Sequence, residues 1–230
     1  MALDRSFLDL CVKLREEIEE PGDGPSSVLG NTGLEARIVD WIYQANQEIQ
    51  SSQPNWRFMW ASGTGTATTG NSDYDISNDW SIDDLMLFNP LSFRIYKDSE
   101  GVAYERALPF LEYEDWLRLY APAFSSVSNT PPSFITQLPD GTMRLSHPAD
   151  GAYTITFDYY RDVQDMTAND DLPYIPEPYR FIIVAQAMMY YGDFNNAPET
   201  YNRGESWFKH WKRQLMRKEL PKVRICGPLA

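Results

Sequence analysis

The sequence predicts an α+β protein: a four-helix bundle formed by N- and C-terminal helices, with an inserted antiparallel β domain. Three observations predict it. Apolar residues recur at three- and four-residue spacing only near the two ends of the chain. Between Trp56 and about Tyr160, short runs of β-branched and aromatic residues alternate with turn signals. A connector with three prolines, Asp170–Pro178, then leads into the last helices. The implied boundaries are 1–55 with 173–219 for the bundle, 56–172 for the β-rich insertion and 220–230 for an extended C-terminal tail.

The first helix is expected over 6–20. Ser6 caps it with Asp9 three residues on, and Phe7, Cys11, Leu14 and Ile18 share a face. Pro21, Gly22, Gly24 and Pro25 end it in a Pro/Gly/Ser-rich loop. The second opens on a capping box, Thr32 with Glu35. Its apolar stripe is Ile38, Trp41, Ile42, Ala45 and Ile49, and Pro54 closes it.

In the insertion, strands are expected at 56-WRFMW-60, 91-LSFRIYK-97, 102-VAYERAL-108 and 153-YTITFDYY-160. SFITQL and TMRLSH flank Pro139-Asp140-Gly141, a hairpin signal. EYEDWLRLY at 112–120 reads as a short helix. The tract 61-ASGTGTATTGNSD-73 is polar and of low complexity, and reads as a flexible loop or a wide excursion from a strand edge.

The third helix, from about Pro178 to Tyr191 with Gly192 as its stop, is apolar almost all round, so it must be covered on all sides. The fourth is capped by Asn196 with Glu199 at N3, carries Pro198 in its first turn and runs to Lys218 or Glu219.

Charge is placed unevenly. The 230 residues carry a net −13, yet from Arg203 onward there are eight Lys/Arg against two Glu. That segment is +6 and residues 1–202 are −19, so the body should repel nucleic acid and the tail should seek acidic surfaces. Lys222 and Arg224 lie beyond Pro221, where a helix-dipole role ends. The two cysteines, Cys11 and Cys226, fit neither a disulfide framework nor a zinc site. No leader peptide or membrane span is expected, and synthesis in the cytoplasm is.

No chemistry stands out. His147 and His210 lack partners at ligand spacing, so no metal is expected. P-loop, dinucleotide and nucleophile-elbow motifs are missing, so no cofactor or catalytic residue is assigned. The acidic pairs at 73–75, 83–84 and 170–171 read as solvated turns. A hydrolase built on Asp83 or Asp84 is the weakest alternative. A carbohydrate- or receptor-binding module, with the 56–160 β region as its recognition surface, is the stronger one, resting on the seven Trp and fourteen Tyr.

Four phrases carry a resemblance: 37-RIVDWIYQANQEIQSSQPNWRFM-59, 112-EYEDWLRLY-120, 139-PDGTMRLSHPADGAYTITFDYYR-161 and 172-LPYIPEPYRFIIVAQAMMYYGDFNNAPETYNRGESWFKHWKRQL-215. In these and in its order of elements, the chain resembles the head-to-tail adaptor (head completion) proteins of tailed bacteriophages. The resemblance implies a structural virion protein at the head–tail interface. It implies a ring of copies, twelve-fold, below the portal protein, extending the DNA channel without sequence-specific DNA binding and offering a platform to the tail or nozzle protein. No enzyme, cofactor or membrane partner is implied. Ring neighbours would contact Phe181, Ile182, Met188, Met189 and Tyr190. The tail would dock on the portal through Lys222, Val223, Arg224, Ile225 and Leu229.

Overall fold

The computed structural model describes residues 5–121 and 128–221. Its contacts divide the chain into two compact units, residues 1–59 with 163–230, and residues 60–162. Helix and antiparallel sheet are both present, so the protein is α+β.

The first unit holds α1 (Phe7–Glu17), α2 (Gly33–Ser51), α4 (Phe181–Phe194) and α5 (Pro198–Glu219). The capping box at α1 forms as read: Ser6 Oγ accepts from the Asp9 amide, and Asp9 accepts from the Ser6 amide at 3.1 Å. At α2 the expected box does not form, because Thr32 makes no side-chain cap bond. α4 runs on through Gly192 to Phe194 rather than stopping there. Gly192 serves packing: a β-carbon on it would fall 2.7 Å from the Tyr201 Cβ on α5. The cap of α5 is Ala197, with Asn196 in a left-handed conformation just before it. α1, α2 and α5 all pack on α4. Ile182, Ile183, Val184, Ala185, Ala187 and Met188 have no exposed surface. At roughly 1.5–3 kcal/mol per large apolar side chain, that burial dominates the unit.

The second unit is built on two sheets. β1 (Trp60–Ala67), β8 (Tyr153–Arg161), β4 (Arg94–Lys97) and β5 (Arg106–Ala107) lie in that order, and β3 (Leu85–Phe88) also pairs with β8. The other sheet is β2 (Asp73–Tyr74), β7 (Met143–Leu145) and β6 (Ile135–Gln137). All strand pairs are antiparallel. α3 (Tyr113–Leu119) is the short helix expected at 112–120. The β6–β7 hairpin turns at Gly141, whose φ of +91° a side-chain-bearing residue adopts at a cost.

Three expectations in this unit fail, one of them in part: the strand expected at 102–108 is a 3₁₀ turn, Val102–Tyr104, followed by only the two-residue β5. WRFMW is not a strand but a 3₁₀ turn, Arg57–Met59, with only Trp60 entering β1. The tract at 61–73 is not a loop: its first seven residues belong to β1, paired without interruption from Trp60↔Tyr160 to Ala67↔Tyr153. Burial alternates along it, with Ala61, Gly63, Gly65 and Ala67 inward. The inward residues are small because aromatic rings lie on them, so the two-residue period has no large hydrophobe to announce it.

Candidate functional site

In the helical unit, α4 is the element singled out by sequence, and its neighbours explain its composition. Gly204 on α5 lets the two helices close: a β-carbon there would fall 2.8 Å from the Ala185 carbonyl oxygen and 3.0 Å from Met188 Cβ. Of the five interface candidates, Ile182 and Met188 are covered by the chain itself. Phe181, Met189 and Tyr190 are half-buried. The Phe181 ring meets those of Trp207 and Trp211 at 5.3 and 6.4 Å. A surface of half-buried aromatics therefore runs from α4 onto α5.

A polar cluster joins α4 to α2. Gln186 Nε2 donates to Glu48 Oε2 at 2.5 Å and to the Tyr190 hydroxyl at 2.7 Å. Gln186 Oε1 has no hydrogen-bond partner among the described residues. The cluster borders a cavity of about 260 Å³ that also touches Trp56, Phe208 and Lys212. Burial, then the nearby Glu48 carboxylate, pushes the Tyr190 hydroxyl well above its ordinary pKa.

The basic run on α5 has two uses. Arg203 is structural: it donates to the Glu17 carbonyl oxygen and lies 3.4 Å from Glu19. Lys209, Arg213 and Arg217 recur every four residues and are exposed, which makes a basic stripe along the helix. Lys209 pairs with Glu205 at 2.7 Å within the same face. The candidate docking residues Lys222, Val223, Arg224, Ile225 and Leu229 lie outside the described residues, as does Cys226. Cys11 is fully buried, and burial pushes its thiol up to about 12, so it is inert.

The acidic pairs each have a structural partner. Asp73 takes a bidentate bond from Arg144, with Nε to Oδ1 at 2.7 Å. The Arg144 guanidinium lies 5.1 Å from the Trp116 ring and so seats α3. Asp75 accepts from the Ser77 and Asn78 amides, both at 2.9 Å. Ser77 donates to Asp83, and the Tyr159 hydroxyl donates to Asp84 at 2.8 Å. Asp171 accepts from the Thr167 and Ala168 amides. These carboxylates cap turns and join strands, and Asp75 and Asp83 also line, with Asp140, Ser77 and Thr142, an open depression of about 270 Å³ in the β unit. Among the described residues no group of His, Cys, Asp or Glu is arranged to hold a metal ion. His147 contacts Ser146, and His210 contacts Gln214.

The aromatic residues behind the sugar-binding alternative lie mostly inside. Tyr74, Trp80, Phe93 and Phe157 are buried and form a chain of ring contacts across the β unit. Among the described residues Trp60, Tyr104 and Tyr120 are the large exposed aromatics there, 50%, 68% and 42% accessible. No described helix is long and apolar enough to cross a membrane.

The described residues offer packing surfaces, a basic stripe and an acidic β unit. No curated protein matches the chain. One protein family does, that described as SU10 adaptor protein, and the match runs over residues 5–224, through both units. The chain therefore belongs to the SU10 adaptor protein family, the structural head-to-tail adaptors of phage.

Proposed function

We propose that this protein forms a ring of copies at the head–tail junction of a virion, below the portal, where it extends the DNA channel and presents the platform for the tail or nozzle. The family match over residues 5–224 is the observation that carries this reading. A twelve-fold ring follows from the resemblance to head-to-tail adaptors. The helical unit serves as the ring wall, its four long helices acting as one bundle. Phe181, Met189 and Tyr190 meet the neighbouring copy, and Ile182 and Met188 stiffen the helix behind them. The β unit faces other partners of the particle. DNA passes without specific contacts. A chain of net −13 has little electrostatic hold on a polyanion, and each phosphate it fails to neutralise removes affinity that would act as friction.

The tail from Leu220 to Ala230 is the docking arm. α5 ends at Glu219, and Leu220 already has extended dihedrals, φ −93° and ψ 149°, so the chain leaves the helix before Pro221. Lys222 and Arg224 supply charge, and Val223, Ile225 and Leu229 supply apolar contact. A ring of such arms gains avidity from many weak contacts. The test is a pull-down on purified portal rings with full-length protein and with protein ending at Pro221. The full chain should be retained and the truncated chain lost. Equal retention contradicts the docking arm.

A further inference from the structure

β1 is paired with β8 along all eight residues on one side, and on its other side no strand pairs with it among the described residues. Which backbone groups face that open side follows from β8. The Asp158 amide does not donate to β1: it donates to Ser92 Oγ at 2.8 Å, and the Asp158 carbonyl accepts from the Asn89 amide at 2.9 Å. Both groups of Asp158 thus point toward β3 and β4. Its register partner Ser62 must then turn its own N–H and C=O away from β8, and so must Trp60, Thr64 and Thr66, because the direction alternates residue by residue. Thr66 agrees: its carbonyl accepts from the Trp80 indole at 3.2 Å. Trp60, Ser62 and Thr64 remain, all exposed.

Such an edge is a template for another strand, and proteins ordinarily blunt it with charge, proline or a bulge. WASGTGTA has neither charge nor proline, and its register with β8 is uninterrupted. The chemistry beside the edge selects the occupant. Ser62 Oγ donates to Asp158 Oδ1 at 3.1 Å, and both line a depression of about 410 Å³ on the outer face, with Arg94 at its far side. Trp60 offers a half-exposed ring at the strand's start. Residues 60–162 carry fifteen acidic against six basic residues, a net of −9. A second copy of β1 would bring no basic residue to Asp158, and its own unit would repel.

We propose that the open edge of β1, Trp60–Thr64, receives an extended basic strand from a partner polypeptide of the particle, hydrogen-bonded to the Ser62 and Thr64 backbone, with a lysine or arginine laid over Ser62 toward Asp158. The inference rests on the assembly role given above. Backbone pairing supplies affinity and the Asp158 side supplies selection, as in other strand additions. The incoming strand would lie two spacings of about 4.8 Å from β8, so a long cation laid over β1 is what can approach the Asp158 carboxylate.

Amide hydrogen exchange of the purified protein and of assembled particles tests it. Exchange at Ser62 and Thr64 should slow by about tenfold or more in the particle, since a paired edge amide exchanges only on opening. Equal rates in the two states overturn the proposal. Slowing that appears in the purified protein and grows with its own concentration means a second copy takes the edge, and overturns the occupant. Asp158→Asn keeps an acceptor for Ser62. It should relieve the slowing severalfold in the particle, and an unchanged rate overturns the basic strand. Mass spectrometry of the same particles separates the two readings: particles lacking the protein defeat the assembly role and this inference together, whereas particles containing it with unchanged exchange defeat only the inference.

Discussion

The indole of Trp80 lies against the bare α-carbon of Gly65, so close that a β-carbon there would fall 2.3 Å from the ring. Its Nε1 donates to the neighbouring Thr66 carbonyl at 3.2 Å, and its ring stacks on Tyr74 at 6.0 Å and tilts on Phe157 at 5.6 Å. One glycine thus admits the residue that joins β1 to the core of the β unit. Gly65→Ala is expected to destabilise this unit by about 1–3 kcal/mol, the usual cost of overpacking. Thr64→Ala, with an exposed side chain, should stay within about 0.5 kcal/mol. Thermal unfolding of the two variants checks the contrast, and equal midpoints would contradict it.

That contact also marks where sequence reasoning stopped. Helices were legible because their signals are local: Ser6 with Asp9 at a cap, and Phe7, Cys11, Leu14 and Ile18 on one face, all buried in the structure. The hairpin at Pro139-Asp140-Gly141 and the alternation of Tyr153–Tyr160 were legible for the same reason. β1 was not, because its inward residues are Ala and Gly, and what makes them inward is Trp80, more than ten positions away. Gly192 misled in the same manner: a glycine that stops many helices here serves a contact with Tyr201. Among the site residues, α4's need for cover was legible. Of the five candidates on it, its cover by α1, α2 and α5 leaves Phe181, Met189 and Tyr190 partly open, and composition could not sort these from Ile182 and Met188. The open edge of β1 had no sequence signal beyond the missing charges and prolines.

Gly204 provides a second test with opposing terms. Alanine in a helix interior gains about 1 kcal/mol over glycine. Here its β-carbon would meet the Ala185 carbonyl oxygen, a backbone atom that cannot move aside without shifting α4. Packing should win, and Gly204→Ala should lower stability by about 1–3 kcal/mol in urea unfolding. A neutral or stabilising result would mean that α4 and α5 are not held this closely.

Tyr153 sets an alkaline limit. Burial, and then its bond to the Asp150 carboxylate at 2.6 Å, pushes its hydroxyl from 10.0 up to about 12. A proton held more tightly by the folded chain stabilises it below pH 10 and ceases to as pH rises through about 12. Tyr74, Tyr190 and Tyr191 are shifted in the same direction, by burial first. Stability should therefore fall between pH 10 and 12, and Tyr153→Phe should flatten that fall while costing about 1 kcal/mol at pH 8 for the lost bond. Urea unfolding at pH 8 and pH 11 measures both. A variant whose alkaline loss equals that of the parent would contradict the assignment.

Charge reversal examines the tail apart from truncation. Lys222→Glu with Arg224→Glu should weaken retention on portal rings by about tenfold or more at low salt, and the gap should narrow as salt screens the contact. Retention unchanged at every salt concentration would assign the contact to Val223, Ile225 and Leu229 alone.

The central claim is that this chain is a ring-forming part of the head–tail junction. Cryo-electron microscopy of intact virions, with the tail vertex reconstructed, tests it most directly. The account predicts a ring of copies of this chain under the portal, with Phe181, Met189 and Tyr190 against the next copy. A vertex reconstructed to side-chain detail without this polypeptide in the ring below the portal would contradict it.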